Sequence, residues 1–506
     1  MESNAKISTR NTISAIVMQM VIMLIGIILP RMYLKAYGSE VNGLVTSINQ
    51  FISYFTIVEA GLASAGTNAL YRPLVEGNAE KINGVVVAIR NFYYYVGYIF
   101  SGLVVGFAFL CPLFMSVKGW SYFDIAILVV VLGLHGTIDF FTLSKYRALL
   151  TADQRYYVVA NATSIAYILN FAILYVALEV FAMDILWVRT LALSLYIIRS
   201  VIINIYVRVR YKYIDLKVKP DETALNKRWS AMILQLLGLA QTSMPVILLT
   251  ILAKDLTAVS VYAVYNLVAS SILTLLTVAT NGVSATFGTI IAANKKEELQ
   301  NMFKSYETLF LSVTSIAYTC MFAMYIPFIK LYTSGIDDCE YIFPLTALLF
   351  VLNGVFYNLK TPAGILIGAA GVFKETQTGT VIQTLIAVVV CIALTPVWGI
   401  NGLLIGLILS NLYRVIDLVI FMAKNVTGLS IADSFKRIFI SLVVFVLSCL
   451  PFFFVDMTAS GYAMWAVKAM IVFVWALFVT IIVNLLLDPK ECFAMFKQAK
   501  KLLLRK

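Results

Sequence analysis

A handful of residues in this 506-residue chain place charge inside apolar surroundings, and these are the positions where chemistry could be done. Glu59 stands in FTIVEAGLASAGTNAL (Phe55–Leu70), among small residues. His135, the only histidine, precedes Asp139 by one helical turn, so the two share a face. Arg199 interrupts SLYIIRSVIINIY. Asn353, Tyr357 and Lys360 recur at helical spacing, and so do Asn411, Arg414 and Asp417. Carboxylates and an imidazole can carry protons or hold a small cation. Guanidinium and ammonium groups can hold an anion, and amides and phenols can bond hydroxyls. Neither a nucleophile–base pair nor a metal-ligand cluster is visible. The six cysteines are scattered without a CxxC pair, and there is no phosphate-cradling Gly loop. No catalytic residue, metal or bound cofactor is expected.

Each position also has a structural reading. Glu59 and Arg199 could pair with each other, and the small residues after Glu59 could serve close helix packing. His135 and Asp139 could be a satisfied core pair, and Arg414 with Asp417 an interface ion pair. Lys468 can snorkel to an interface.

The elements that hold these residues are membrane spans. The chain is 61% hydrophobic and 13% charged, with mean hydropathy +0.91, whereas a soluble domain is about half apolar and about a quarter charged. Apolar segments of about twenty residues recur throughout, each able to cross a bilayer as a helix. The first, Ile13 to Pro30, reads as a span, not as a cleavable leader. The pattern predicts an all-α polytopic membrane protein of about fourteen helices. The spans are 11–30, 41–70, 86–112, 123–146, 157–180, 185–207, 229–253, 259–292, 305–331, 341–368, 376–396, 400–423, 436–455 and 462–487.

The net charge of +12 fits basic cytoplasmic loops and not nucleic acid. With the N-terminus inside, thirty of the 38 Lys and Arg residues fall on the inner side and six on the outer. The remaining two, Arg199 and Lys468, lie within spans. That bias predicts cytoplasmic termini. The basic link VRVRYKYIDLKVKPDETALNKR divides the chain into an N-terminal lobe (1–220) and a C-terminal lobe (221–428). Spans 13 and 14 and a basic tail (429–506) follow, the tail suited to anionic lipid. GLASAGTNALYRPLVEGNAEKINGV pairs with GVSATFGTIIAANKKEELQNMF, and RALLTADQR with AGILIGAAGVFK. These pairings predict that six spans repeat as six in the same orientation, with two appended. Parallel repeats of this kind are a transporter design.

The opening STRNTISAIVMQMVIMLIGIILPRMYLKAYGSEVNGL, the EAGLASA stretch and GILIGAAGVFKETQ resemble the polysaccharide flippases of the multidrug/oligosaccharidyl-lipid/polysaccharide flippase superfamily. The resemblance covers essentially the whole chain. It implies two six-helix bundles around a cavity, working by alternating access to move polyprenyl-pyrophosphate-linked oligosaccharide across the bacterial inner membrane for surface polysaccharide export. Fewer Arg residues in the early spans set the chain apart from lipid II flippases. For such a cargo, Arg199, Lys145 and Lys360 are candidates for the phosphates. Asn353, Tyr357, Tyr262, Tyr265, Asn266, Gln235 and Gln241 are candidates for the sugar. Glu59, His135, Asp139, Arg414 and Asp417 are candidates for coupling to H+ or Na+. The expected partners are the lipid-linked substrate, membrane lipids, and polymerase and glycosyltransferases of the same pathway. The rival readings are a cation-coupled multidrug antiporter of the superfamily and a membrane glycosyltransferase or polymerase.

Overall fold

In a computed structural model, residues 4–59, 62–221, 243–372 and 374–491 are described, and every regular element among them is helical. The helices are α1 (Asn4–Phe55), α2 (Leu62–Glu76), α3 (Ala79–Leu110), α4 (Tyr122–Thr142), α5 (Ser144–Ala152), α6 (Tyr156–Tyr175), α7 (Ile185–Ala192) and α8 (Ser194–Arg210). They continue as α9 (Ser243–Ala253), then α10 (Leu256–Ala292), α11 (Lys296–Tyr332), α12 (Pro344–Leu359), α13 (Thr361–Ala370), α14 (Gln377–Met422), α15 (Ile431–Cys449) and α16 (Tyr462–Leu487). The chain divides into two compact units, Met1–Ser260 and Val261–Lys506.

Ten helical stretches among the described residues are long and apolar enough to cross a membrane. Two of them make two passes each. α1 turns at Gly38 (φ 78°, ψ 174°) and α14 at Gly399 (φ 53°, ψ −129°). Both backbones lie where a Cβ is penalised, which glycine alone tolerates without cost. The α12–α13 pair and the described part of the seventh pass, α9, complete fourteen. The chain is thus an all-helical, multi-pass membrane protein. Large apolar side chains on α16, among them Val467, Met470, Ile471, Val474 and Phe478, remain exposed, as a lipid-facing surface requires.

Several spans are broken where the sequence predicts continuous helix. In the second pass, helix ends at Phe55, a 3₁₀ turn holds Thr56–Glu59, and helix resumes at Leu62. Ser53 and Thr56 explain the break. Their hydroxyls donate to the carbonyls of Gln50 and Ser53, each at 2.7 Å, and so compete with the helical ladder. The fourth and tenth passes break as well. Leu143 separates α4 from α5, and Lys360 separates α12 from α13.

In the first unit, α3 and α4 pack closely because Gly133 and Gly136 face Val104 and Phe100, leaving no room for a Cβ. In the second unit, α11 is the most buried long helix, with Phe303, Tyr318 and Tyr325 enclosed. Gly354 of α12 lies directly on the Tyr318 ring. The buried ion pair of Arg437 with Glu307, at 2.5 Å, fastens α15 to α11, and Ser434 bonds the same carboxylate at 3.2 Å. Arg437, which the charge count assigns to an inner loop, is therefore an interior residue near the start of α15.

Candidate functional site

The polar interior of the first unit is assembled by the breaks in its helices. Thr142 and Ser144 flank the α4–α5 break and bond the carbonyls of Ile138 and Asp139 at 2.6 and 3.1 Å. Asp139 meets Arg199 of α8, whose Nη2 reaches both carboxylate oxygens, at 2.5 and 2.6 Å. Arg199 thus pairs with Asp139 and not with Glu59. Glu59 instead accepts from the Tyr93 hydroxyl at 3.0 Å and lies 3.6 Å from Arg147. His135 is one turn from Asp139, as the spacing predicts. Its Nδ1 contacts the Leu132 carbonyl, and its ring lies 5.3 Å from that of Tyr196.

Beside this network is a cavity of about 400 Å³. His135 and Tyr196 line it, with Asn49, Ser53, Thr56 and Arg189. The loop count treats Arg189 as an outer residue, but it belongs to α7 and points inward. Its guanidinium lies 3.8 Å over the Tyr33 ring. The Arg189 Nε and the Tyr33 hydroxyl are buried without a hydrogen-bond partner among the described residues. No carboxylate among them pairs with Arg189. The signal for it in the sequence was only an arginine four residues into an apolar segment.

The second unit gathers a different set. Lys360 sits at the α12–α13 break, 8% exposed. Its Nζ donates to the Asn411 side-chain oxygen at 2.8 Å and lies 4.4 Å over the Tyr357 ring. Asn411 also takes a bond from Gln383 at 3.2 Å and donates to Asn353 at 3.0 Å. Arg414 pairs with Asp417 and bonds Thr380 at 2.8 Å. Asn353, Tyr357, Lys360, Asn411, Arg414 and Asp417 thus belong to one neighbourhood.

Other candidates lie elsewhere. Tyr262 and Tyr265 are 5% and 0% exposed and pack on Phe350, with the Tyr265 hydroxyl held by the Tyr341 carbonyl at 2.8 Å. They are core aromatics, because α10 turns that face onto α12 and not into open space. Asn266 is half-buried beside them. Lys145 lies near the tyrosine rings at the far end of the fourth pass, apart from Arg199 in its contacts. Gln235 and Gln241 lie outside the described residues. Glu307, missed in the sequence, forms the buried pair with Arg437.

No family profile matches the chain, and no curated protein matches it. Solved structures do. An inward-facing multidrug resistance MATE family transporter of the MOP superfamily superposes with TM-score 0.64 at 14% identity, covering 83% of this chain and 99% of that one. The lipid II flippase MurJ in an inward closed conformation gives 0.66 at 13% identity, covering 96% and 98%. An outward-facing MATE transporter gives 0.58 at 15% identity, covering 85% and 96%. The chain therefore shares the fold of these transporters and of this flippase.

Proposed function

We propose that this protein is a flippase that carries a lipid-linked saccharide across the bacterial cytoplasmic membrane by alternating access, with both termini cytoplasmic. The observation that carries the reading is the cavity around Arg189. A pyrophosphate-linked sugar cannot cross hydrocarbon unaided, because its charge and hydroxyls would lose their hydration uncompensated. The cavity supplies one cation and a set of amide, hydroxyl, imidazole and phenol groups, which is the complement such a head group needs. Arg199 is already answered by Asp139, and Lys360 already bonds Asn411. Arg189 is the cation here that no carboxylate answers among the described residues, so it takes the phosphate role first assigned to Arg199. Glu59, His135 and Asp139 border the same interior and are the groups for coupling H+ or Na+.

The test is polysaccharide export in cells carrying Arg189→Ala and Arg189→Lys, with membrane abundance measured alongside. Loss of a charge-assisted contact worth about 1.5–3 kcal/mol predicts a fall of about ten- to a hundredfold for alanine. Lysine, which keeps the charge but not the fork, should fall between. Normal export by the alanine variant at normal abundance overturns the reading.

The multidrug antiporter reading has support in the MATE superpositions, which span nearly the whole of those chains. It predicts that overproduction raises tolerance to lipophilic cations while deletion leaves surface polysaccharide intact. That pair of results would replace the flippase reading.

A further inference from the structure

Three cations from three helices meet at the end of the first unit that carries the basic loops. Arg90 lies on α3, Lys145 on α5, and Arg208 in the last turn of α8. Both arginines are within electrostatic reach of Lys145. Two of them, Arg90 and Lys145, flank tyrosine rings. Lys145 Nζ lies 5.8 Å from the centre of Tyr94 and 5.0 Å from that of Tyr146, and the Arg90 guanidinium lies 5.9 Å from Tyr94. None of the three forms an ion pair with a carboxylate among the described residues. Like charges so placed repel one another, and an anion received among them would relieve that repulsion.

The arrangement is built, not accidental. Residues 211–221, which the sequence reads as a linker, lie along the end of α3 as a strap. Asn83 bonds the Tyr213 carbonyl at 2.9 Å, and Asp221 N–H donates to the Gly84 carbonyl at 3.0 Å. Arg90 itself donates through Nη1 to the Leu216 carbonyl at 2.9 Å and through Nε and Nη2 to the Asn91 side-chain oxygen at 3.2 and 3.0 Å, which fixes its guanidinium beside Tyr94 and leaves the second hydrogens of Nη1 and Nη2 for an anion. The strap turns Tyr211 inward and leaves Lys212, Lys217 and Lys219 exposed, extending the positive surface outward from the trio. The adjacent Asp153 carboxylate is taken by Arg155 at 2.7 Å and by Tyr211, and Asp215 by the Lys217 N–H at 2.9 Å.

We propose that Arg90, Lys145 and Arg208 form a receptor for a lipid-borne phosphate, occupied by an anionic phospholipid of the cytoplasmic leaflet. Arg208 follows directly on the apolar part of α8, which puts the site at head-group depth, where a lipid phosphate is available without leaving the bilayer. Tyr94 and Tyr146 supply the amphipathic rings suited to that depth. Each cation near such a surface contributes about a fivefold gain in retention. The inference rests on the orientation proposed above but not on the identity of the cargo.

The experiment is native mass spectrometry of the full-length protein in detergent, titrated with phosphatidylglycerol, phosphatidylcholine, a polyprenyl pyrophosphate and inorganic phosphate. Retention of one phosphatidylglycerol in preference to phosphatidylcholine is expected. Lys145→Gln and Arg208→Gln should each lower retention about fivefold and Lys145→Arg should restore it. Arg208 is exposed, so its variant reads the site without disturbing packing. Equal retention of the two phospholipids, or unchanged phosphatidylglycerol retention in both glutamine variants, overturns the proposal. Displacement by the polyprenyl pyrophosphate at far lower concentration assigns the site to cargo, and displacement by inorganic phosphate alone removes the lipid. Both results also overturn it. Because the readout is lipid retention, a failed flippase reading leaves this result standing, and the reverse holds too.

Discussion

Asp139 and Arg199 join α4 to α8 through a single guanidinium nitrogen held between both carboxylate oxygens, at 2.5 and 2.6 Å. The opposite edge of that guanidinium is less well served, since Arg199 Nε is buried without a partner among the described residues. A pair of this kind couples two helices by charge while leaving donor capacity unspent.

Removing one member should therefore harm the fold more than removing both. Asp139→Asn leaves a cation in a poorly solvated place, a cost of about 1–3 kcal/mol given that both groups keep some exposure. The double change Asp139→Asn with Arg199→Gln should recover membrane abundance relative to either single change. If the double variant is as depleted as the worse single one, the two do not act as a pair.

Glu59 behaves differently because its cationic neighbour, Arg147 at 3.6 Å, is exposed to solvent and its hydrogen bond is to a neutral phenol. Glu59→Gln keeps an oxygen to accept from Tyr93, now 3.0 Å away, so abundance should stay close to that of the unaltered protein. Export should fall at least tenfold if the carboxylate carries a coupling ion, since the amide cannot titrate. Tyr93→Phe, which removes the donor but spares the acid, should lose less. Full export by Glu59→Gln would make the residue a structural acceptor only.

Much of the fold was legible in the sequence because bilayer physics is legible. Segment length and hydropathy predict the fourteen passes, and the turn at GIN, where Gly399 sits, falls between the two spans read there. The site was legible only where its members share one helix. His135 and Asp139, and Arg414 with Asp417, follow from spacing. Arg199 and Asp139 are 60 residues apart, so nothing in either helix selects one partner over Glu59. Arg189 sat near a span end and passed for a loop cation. Glu307 and Arg437 lie near the starts of the spans predicted at 305–331 and 436–455, where charge is ordinarily solvated, and only the packing of α15 on α11 buries them. Tyr262 and Tyr265 resembled sugar contacts because a packed aromatic and a cavity aromatic have the same sequence signature.

The Glu307–Arg437 pair is more deeply enclosed, with side chains 1% and 6% exposed. Breaking it by Arg437→Met leaves a buried carboxylate, and the loss should be about 3–5 kcal/mol. Replacing both, as in Glu307→Met with Arg437→Leu, should restore most of the stability, because apolar side chains need no counter-charge. Thermal unfolding of the purified variants in one detergent measures this. A double variant that melts no higher than Arg437→Met alone would show that the pair does more than balance charge.

Lys360 and Asn411 set up the opposite asymmetry, in which the acceptor matters more than the donor. Asn411 Oδ1 takes bonds from both Lys360 and Gln383, at 2.8 and 3.2 Å. Lys360→Met therefore leaves that oxygen satisfied by Gln383, and a flexible apolar chain of similar length can lie on the Tyr357 ring. Asn411→Leu instead strips an ammonium group of its amide partner and also removes one partner each from Gln383 and Asn353. An unsatisfied buried polar group costs about 1–3 kcal/mol and a charged one more. The expected order of thermal stability is the unaltered protein, then Lys360→Met close behind, then Asn411→Leu well below. Adding Lys360→Met to Asn411→Leu should raise stability again by removing the orphaned charge. An additive loss in that double variant would mean that Lys360 is stabilised by something other than Asn411, and the amide cluster would lose its claim to hold the lysine in place.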